Sequence, residues 1–304
     1  MKTSELRKLL ADVGVDFESR LVDCLFVTGA NLIYIFDLAE SRYIFVSGDT
    51  ASTLGYAPQE ILKMGNKIEA ELVNPEDRQR VLEHHQNCQR AAEGDLLEVE
   101  FRAKHVYGGW HWLLIRDTPL VRNADGQVRY ILGTAEDVSE RKAAQEKLWF
   151  VSTHDQLTGL YNRAYFEAEV GRMEKSRHYP ISVLFVDIDD LQALNDAQGH
   201  EAGDALLLRC SQILLESFRA EDVIARVGGD EFAVILPLTG EPSSEAILSR
   251  IRARITKHNQ TNTKTLLGLS LGMATAEHGE SLREAVKTAE KRLAESKRAH
   301  RNLK

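Results

Sequence analysis

No run of apolar residues in this chain approaches the length of a membrane span, so no membrane-crossing helix is expected. Cysteine is scarce: Cys24, Cys88 and Cys210 are widely scattered and form no CxxC pair. That disfavours a zinc site or a disulfide framework and suits a reducing compartment. Basic charge is not in excess either. Lys and Arg number 38 against 46 Asp and Glu, a formal net charge of -8, whereas general nucleic-acid binding requires a basic face. What is present is an ordinary globular composition, 43% hydrophobic and 28% charged, over 304 residues. That length exceeds one average domain and predicts two. The opening stretch MKTSELRKLLADVGVD reads as the start of an amphipathic helix rather than a signal peptide. A cytoplasmic location is expected.

The first half predicts strands, then helices, then a meander. NLIYIFDL and RYIFVS are apolar, aromatic and β-branched runs separated by the polar turn AES. NPEDRQRVLEHHQNCQRAAEG carries a helix signature, with Asn74 as N-cap, Pro75 at the first helical position and Gly94 at the end. LEVEFRA alternates, setting Leu97, Val99 and Phe101 on one face and Glu98, Glu100 and Arg102 on the other. Gly108-Gly109 and Asp125-Gly126 then punctuate two further strands. Trp110 and Trp112 share a face of one of them and are expected in a core or a dimer interface. SERKAAQEKLWFVSTHD predicts a helix with Ala144, Leu148 and Val151 at heptad spacing, either a dimerising helix or an exposed connector.

The second half has the order βαββαβ, closed by the helix SLREAVKTAEKRLAESKRAHR. That order is the split-βαβ, ferredoxin-like pattern, with helices expected on one face of an antiparallel sheet. The fold class is α+β. Asp187 and Asp189 fall where the buried run ISVLFVDID ends and a helix begins, a place where carboxylates and free backbone N–H groups occur together. Gly228-Gly229-Asp230-Glu231 forms a hairpin that the strand order places beside that end. Acids from two strands can share a hard cation that also bridges phosphate oxygens.

These segments carry a family resemblance. DQLTGLYNR (Asp155–Arg163), DIDDLQALNDAQGHEAGD (Asp187–Asp204), RVGGDEF (Arg226–Phe232), LSLGMA (Leu269–Ala274) and AEKRLAESKRAHRN (Ala289–Asn302) resemble, in order, the motifs of GGDEF diguanylate cyclases. RYIFVSGDTASTLGYAPQEIL and the stretch from GGWHW to DVSERK resemble a PAS sensory domain and its exit into a signalling helix. The expected domains are residues 1–138, 139–153 and 154–304: a PAS domain (an antiparallel sheet with flanking helices), a linker helix and a GGDEF domain of the nucleotidyl cyclase fold.

The resemblance implies condensation of two GTP into cyclic di-GMP with release of two pyrophosphates. It implies that Asp187, Asp230, Glu231 and the carbonyl of Ile188 hold Mg²⁺ or Mn²⁺. Glu231 serves the metal or deprotonates the attacking 3′-hydroxyl, and Gly228 and Gly229 shape the catalytic hairpin. Asn195, Asp204 and His200 would bind substrate, the first two reading the guanine edge. Lys297 and Arg301 would hold the terminal phosphates. Phe232 is expected as a core anchor. Two positions depart from the family pattern: Leu191-Gln192 stands where Phe-Lys is common, and His300 where glycine is usual.

The RxxD pattern of Arg219 and Asp222 resembles the family's inhibitory product site, with Arg250 as a second arginine from the same or a partner domain. An arginine grips phosphate bidentately and stacks on guanine. No PAS ligand is assigned. His84, His85, His105 and His111 are the candidate haem ligands, and no segment resembles the flavin-reactive cysteine motif. A homodimer through the PAS domain and linker helix is expected, since two bound GTP molecules must meet. The alternative is a catalytically weak domain acting as a GTP or cyclic di-GMP receptor.

Overall fold

The structure is a computed structural model that describes residues 32–47, 53–261 and 265–302. The expected N-terminal helix and Cys24 lie outside these residues. Contacts divide the chain into two units between Gln145 and Glu146.

In the N-terminal unit five antiparallel strands form one sheet in the order β2-β1-β5-β4-β3. They are β1 (Leu32–Asp37), β2 (Arg42–Val46), β3 (Leu97–Lys104), β4 (Trp110–Arg122) and β5 (Val128–Asp137). Between β2 and β3 lie helices α1 (Pro58–Met64), α2 (Ile68–Leu72) and α3 (Arg78–Arg90). Strand alternation sends Tyr34 and Phe36 of β1, and Val99, Phe101 and Ala103 of β3, into one core with Val81 and Cys88 of α3.

The helix expected from Asn74 to Gly94 is shorter. Asn74 accepts from Glu76 N at 3.0 Å, but this cap opens a 3₁₀ turn, Pro75–Asp77, before α3 begins. At the other end Ala91 is extended, and Asp95 Oδ2 accepts from Ala92 N at 2.7 Å, so a side-chain turn takes over four residues early. Trp110 and Trp112 are not core residues. Trp110 is 45% exposed, and the Trp112 ring lies beneath the cations of Arg80, Arg102 and Lys142. A strand near the sheet edge presents these rings to long basic side chains rather than to apolar ones.

Helix α4 (Ser139–Thr153) has no buried residue, and Leu148 is 70% exposed. In the C-terminal unit the sheet order is β10-β7-β9-β8-β6. Its strands are β6 (Tyr161–Asn162), β7 (Ile181–Ile188), β8 (Val223–Arg226), β9 (Glu231–Leu236) and β10 (Leu269–Ala276). The first helix, α5 (Arg163–Met173), starts where Asn162 accepts from Tyr165 N at 3.0 Å. The others are α6 (Leu191–Gln198), α7 (His200–Ser217), α8 (Glu241–Thr261) and α9 (Leu282–Asn302).

Helices cover both faces of this sheet, not one. Leu184, Val186 and Ile188 of β7 pack with α6, α7 and α8, while Ile181, Val183 and Phe185 pack with α5 and α9. A strand that is apolar at successive positions needs cover on both sides. The last strand begins at Leu269.

Asp77 ties α3 to the sheet. Its buried carboxylate accepts from Arg102 N and Nε at 2.9 and 2.8 Å and pairs with Arg80 at 2.7 Å. The Arg102 bond outweighs burial and holds this carboxyl below the usual range. Asp77→Ala is expected to destabilise the N-terminal unit by about 2 kcal/mol at neutral pH, since it strands Arg102 N–H donors. Because the folded pKa is depressed, this stabilisation is complete above the ordinary carboxylate pKa and fades as pH falls through the folded value. Urea unfolding of both proteins should therefore differ at pH 7 and converge in strong acid.

Candidate active site

β7 is buried at every position, and its penultimate residue, Asp187, is 4% exposed. Pairing with β9 sets Asp187 opposite Glu231, and Ile188 N donates to Asp230 O at 3.1 Å. Asp187 and Glu231 from two strands and Asp230 from the turn before β9 thus meet at one end of the sheet. The turn between β8 and β9 is closed by Val227 N and Gly228 N, which donate to Glu231 O at 2.9 and 3.2 Å. A Cβ on Gly228 would press on the Glu231 side chain at 3.2 Å, whereas one on Gly229 would meet nothing within 4 Å. Gly229 therefore presents an open backbone face. Arg226 fixes the turn from behind, donating to Gly229 O at 2.6 Å and pairing with Asp155 at 3.2 Å. Phe232, which follows the acids, is fully buried.

Helix α9 brings in the balancing charge. Gly272 of β10 lets it approach, since a Cβ there would lie 2.2 Å from Leu293 N and 2.3 Å from Ala289 O. Lys297 Nζ then reaches Asp187 Oδ2 at 2.5 Å and Glu231 Oε1 at 3.2 Å. The lysine expected at the phosphates lies between two of the acids. Burial pushes the Asp187 carboxyl up to about 6; Lys297 opposes this, while Asp230 and Glu231 reinforce it. Burial draws the Lys297 ammonium down, but its bonds to both acids win and leave it above its ordinary value. The donors gathered here are hard oxygens, and one lysine does not neutralise three carboxylates, so the set fits Mg²⁺ or Mn²⁺.

The other sequence-predicted residues lie at two places. Asn195, on α6, has a buried side-chain oxygen without a hydrogen-bond partner. Gly203 on α7 makes room for it, because a Cβ there would fall 1.9 Å from that oxygen. Asp204 follows Gly203 and is exposed, as is His200 at the start of α7. Gln192 is exposed and Leu191 buried. Arg301 continues α9, and its side chain lies outside the described residues. Arg219 and Asp222 close a turn after α7, with Arg219 N donating to Asp222 Oδ2 at 2.8 Å. Burial raises the Asp222 carboxyl. Arg250, on α8, donates to Ser217 O at 2.5 Å and so sits by the same turn.

Sequence reasoning missed a polar chain beside the acids. Ser270 Oγ donates to Asp189 Oδ1 at 2.7 Å and lies 3.0 Å from His300 Nδ1. His300 therefore takes up a hydrogen-bonding place on β10. The clamp between Asp155 and Arg226 was also missed, although both residues fall inside quoted motifs.

Residues 152–303 match the family described as diguanylate cyclase, GGDEF domain, and residues 43–135 match the PAS fold. The chain is 37% identical over 127 residues to the probable diguanylate cyclase DgcE of Escherichia coli K12, covering 41% of this chain and 12% of that one. It is 34% identical over 180 residues to the probable diguanylate cyclase DgcC of the same strain, covering 56% and 46%. It therefore spans less than half the length of either relative. Among solved structures, the coiled coil and GGDEF domain of DgcB from Caulobacter crescentus in complex with c-di-GMP aligns at TM-score 0.48 and 26% identity, over 53% of this chain and 89% of that one.

The raised Asp187 pKa carries a stability consequence with a definite sign. The folded value, about 6, lies above the ordinary 3.8, so folding favours the protonated acid and the cost of its charge is felt as pH rises through that interval. In EDTA, Asp187→Asn is expected to be more stable than the wild type by about 1–2 kcal/mol at pH 7.5, within the ceiling set by 1.36 kcal/mol per unit of a shift that already includes the Lys297 pairing. The gain should disappear by pH 4. Melting temperatures across that range test it; equal stability at pH 7.5 would show that Lys297 fully offsets the buried charge.

Proposed function

Because the chain belongs to the family of GGDEF diguanylate cyclase domains and carries a PAS fold before that domain, we propose that it condenses two GTP into cyclic di-GMP, releasing two pyrophosphates. The observation that carries this reading is the meeting of Asp187, Asp230, Glu231 and Lys297 beside the open face of Gly229.

Asp187, Asp230, Glu231 and the Ile188 carbonyl would hold Mg²⁺ or Mn²⁺, which when bound supplies charge neutralisation at the phosphates and acidifies a coordinated oxygen. Gly229 leaves room for the triphosphate to approach backbone. Lys297, already an ammonium between acids, exchanges carboxylate partners for phosphate oxygens once substrate arrives, together with Arg301. Asn195 supplies an unpaired amide oxygen to the N1 and N2 donors of guanine, with Asp204 and His200 at the same helix junction; adenine lacks that donor pair and leaves the oxygen stranded. Glu231, whose side chain is 42% exposed, is the acid placed to accept the 3′-hydroxyl proton.

Each domain holds one GTP, so the 3′-hydroxyl of one must reach the α-phosphate of another. A homodimer through the PAS fold and α4 would raise the effective concentration of the second site. The exposed Leu148, Trp149 and Val151 support pairing at that helix. Arg219, Asp222 and Arg250 would bind product as a feedback site; the exposed Arg219 side chain and the turn beside Arg250 support this. The PAS unit would regulate the reaction, and the cytoplasm, where GTP is available, is its setting.

The test begins with protein stripped of bound nucleotide, then given GTP and Mg²⁺ and assayed for cyclic di-GMP. Product is expected from the wild type and a loss of at least about 10³-fold from Asp230→Ala, the order of effect of removing a charge-stabilising group. Arg219→Ala is expected to abolish inhibition by added cyclic di-GMP. No product, but cyclic di-GMP binding that depends on Arg219, would make the chain a receptor instead.

A further inference from the structure

The core of the N-terminal unit holds a polar cluster that none of this chemistry uses. His84 and Cys88 lie one turn apart on α3, on the face turned to the sheet, and Asp117 comes from β4. All three are buried. His84 Nε2 is 2.8 Å from Asp117 Oδ2 and 3.5 Å from Cys88 Sγ, and the three donor atoms lie within 4.8 Å of one another. We propose that His84, Cys88 and Asp117 bind one divalent transition-metal ion of the Zn²⁺ class.

The arrangement converges where a hydrogen-bond chain would run on. Thiol and carboxylate both approach the same imidazole nitrogen, which has one proton or one lone pair to offer and satisfies only one of them. A metal ion is satisfied by all three, and nitrogen, sulfur and carboxylate oxygen are its common protein donors. The carboxylate is also held from behind. Tyr34 Oη donates to Asp117 Oδ1 at 2.7 Å, as an outer partner orients a ligating carboxylate. Opposite Tyr34 in the sheet stands Gly133, where a Cβ would fall 2.2 Å from Asp117 Oδ1 and from the tyrosine ring. The position is built around the carboxylate.

Charge favours the same assignment. Among the described residues no lysine or arginine pairs with Asp117, which is 0% exposed. A dipositive ion with one thiolate, one carboxylate and one neutral imidazole sums to zero, which a low-dielectric interior tolerates. Burial and then the Asp117 charge push the Cys88 thiol up to about 12, so without metal it keeps its proton. Binding forms the metal–sulfur bond and releases that proton to solvent, while His84 coordinates through Nε2 with its proton on Nδ1. A cavity of about 50 Å³, lined by His84 together with Tyr34, Tyr43, Glu69 and His85, has room for a water beside the imidazole.

The probe is Co²⁺, added to the full chain after EDTA treatment and exchange. One equivalent should bind with the near-ultraviolet thiolate-to-metal charge-transfer band, and Zn²⁺ should displace it. The acidic oxygens of the C-terminal unit cannot produce that band. Cys88→Ala should abolish it, Cys24→Ala and Cys210→Ala should retain it, and His84→Gln should weaken Co²⁺ binding at least tenfold. X-ray absorption of the Zn²⁺-loaded wild type, which needs no variant to fold, should show one sulfur at about 2.3 Å. A zinc shell of oxygen and nitrogen alone, a band that survives Cys88→Ala, or no metal retained would each overturn the site and leave a hydrogen-bonded core cluster.

Discussion

The antiparallel pairing of β7 with β9 is the constraint on which the C-terminal site depends. Its register sets Asp187 against Glu231 and carries Asp230 to the backbone of Ile188, so acids 43 and 44 positions apart in the sequence share one end of a sheet. β7 is covered on both faces, and carboxylates are excluded from all of it except the end where the strand leaves the core. The same burial that makes the strand rigid raises the Asp187 carboxyl, and the hairpin acids raise it further. Position and perturbed acidity therefore have one cause. Helix α9 answers it by packing flush on β10 at Gly272 and delivering an ammonium into the cluster.

Lys297 links this electrostatic problem to the proposed chemistry. Two other partly or fully buried acids are held by arginine: Asp77 by the fork of Arg102 Nε and Nη2, and Asp155 by one terminal nitrogen of Arg226. A lysine on a flexible stem holds its partners as a point charge and gives them up at lower cost when a cation and phosphates compete. Arg226, by contrast, also grips Gly229 O and keeps the turn in shape whichever partner Lys297 has.

Much of this was legible in sequence where local pattern and burial agree. The alternation of Leu97, Val99 and Phe101, the unbroken apolar run of β7 and the glycine hairpin each have one stable solution, and the strand order followed. Cover on the second face was not legible, because α5 lies within a stretch read for its motif rather than for its periodicity, although Asn162 supplied a cap. Lys297 was placed with phosphates since a resemblance describes a loaded site, whereas the bare fold pairs it with the nearest acids. The Tyr34–Asp117–His84 network could not be read from spacing at all. Its members come from β1, β4 and α3, and Tyr34 and Asp117 are 83 residues apart. The cysteine count registered the absent CxxC but carried no information on a histidine one turn before Cys88 with a carboxylate folded beside it.

Three buried carboxylates show how compensation separates their roles. Asp77 is surrounded by guanidinium and backbone N–H groups, its acidity is strengthened, and its full hydrogen-bond complement fixes α3 to β3. Asp187 is buried and then crowded by like charges, so its acidity is weakened, and a cation from outside would stabilise it further. Asp117 stands between them, fully buried yet answered only by a phenol and an imidazole among the described residues. An interior that satisfies a carboxylate with fixed cations has spent it on stability, while one that leaves its charge open retains a site for a cation from outside. By that criterion the two units differ in the softness of the donors beside the acid, oxygen around Asp187 and nitrogen with sulfur around Asp117, a difference that would favour a hard ion at the first proposed site and a borderline ion at the second.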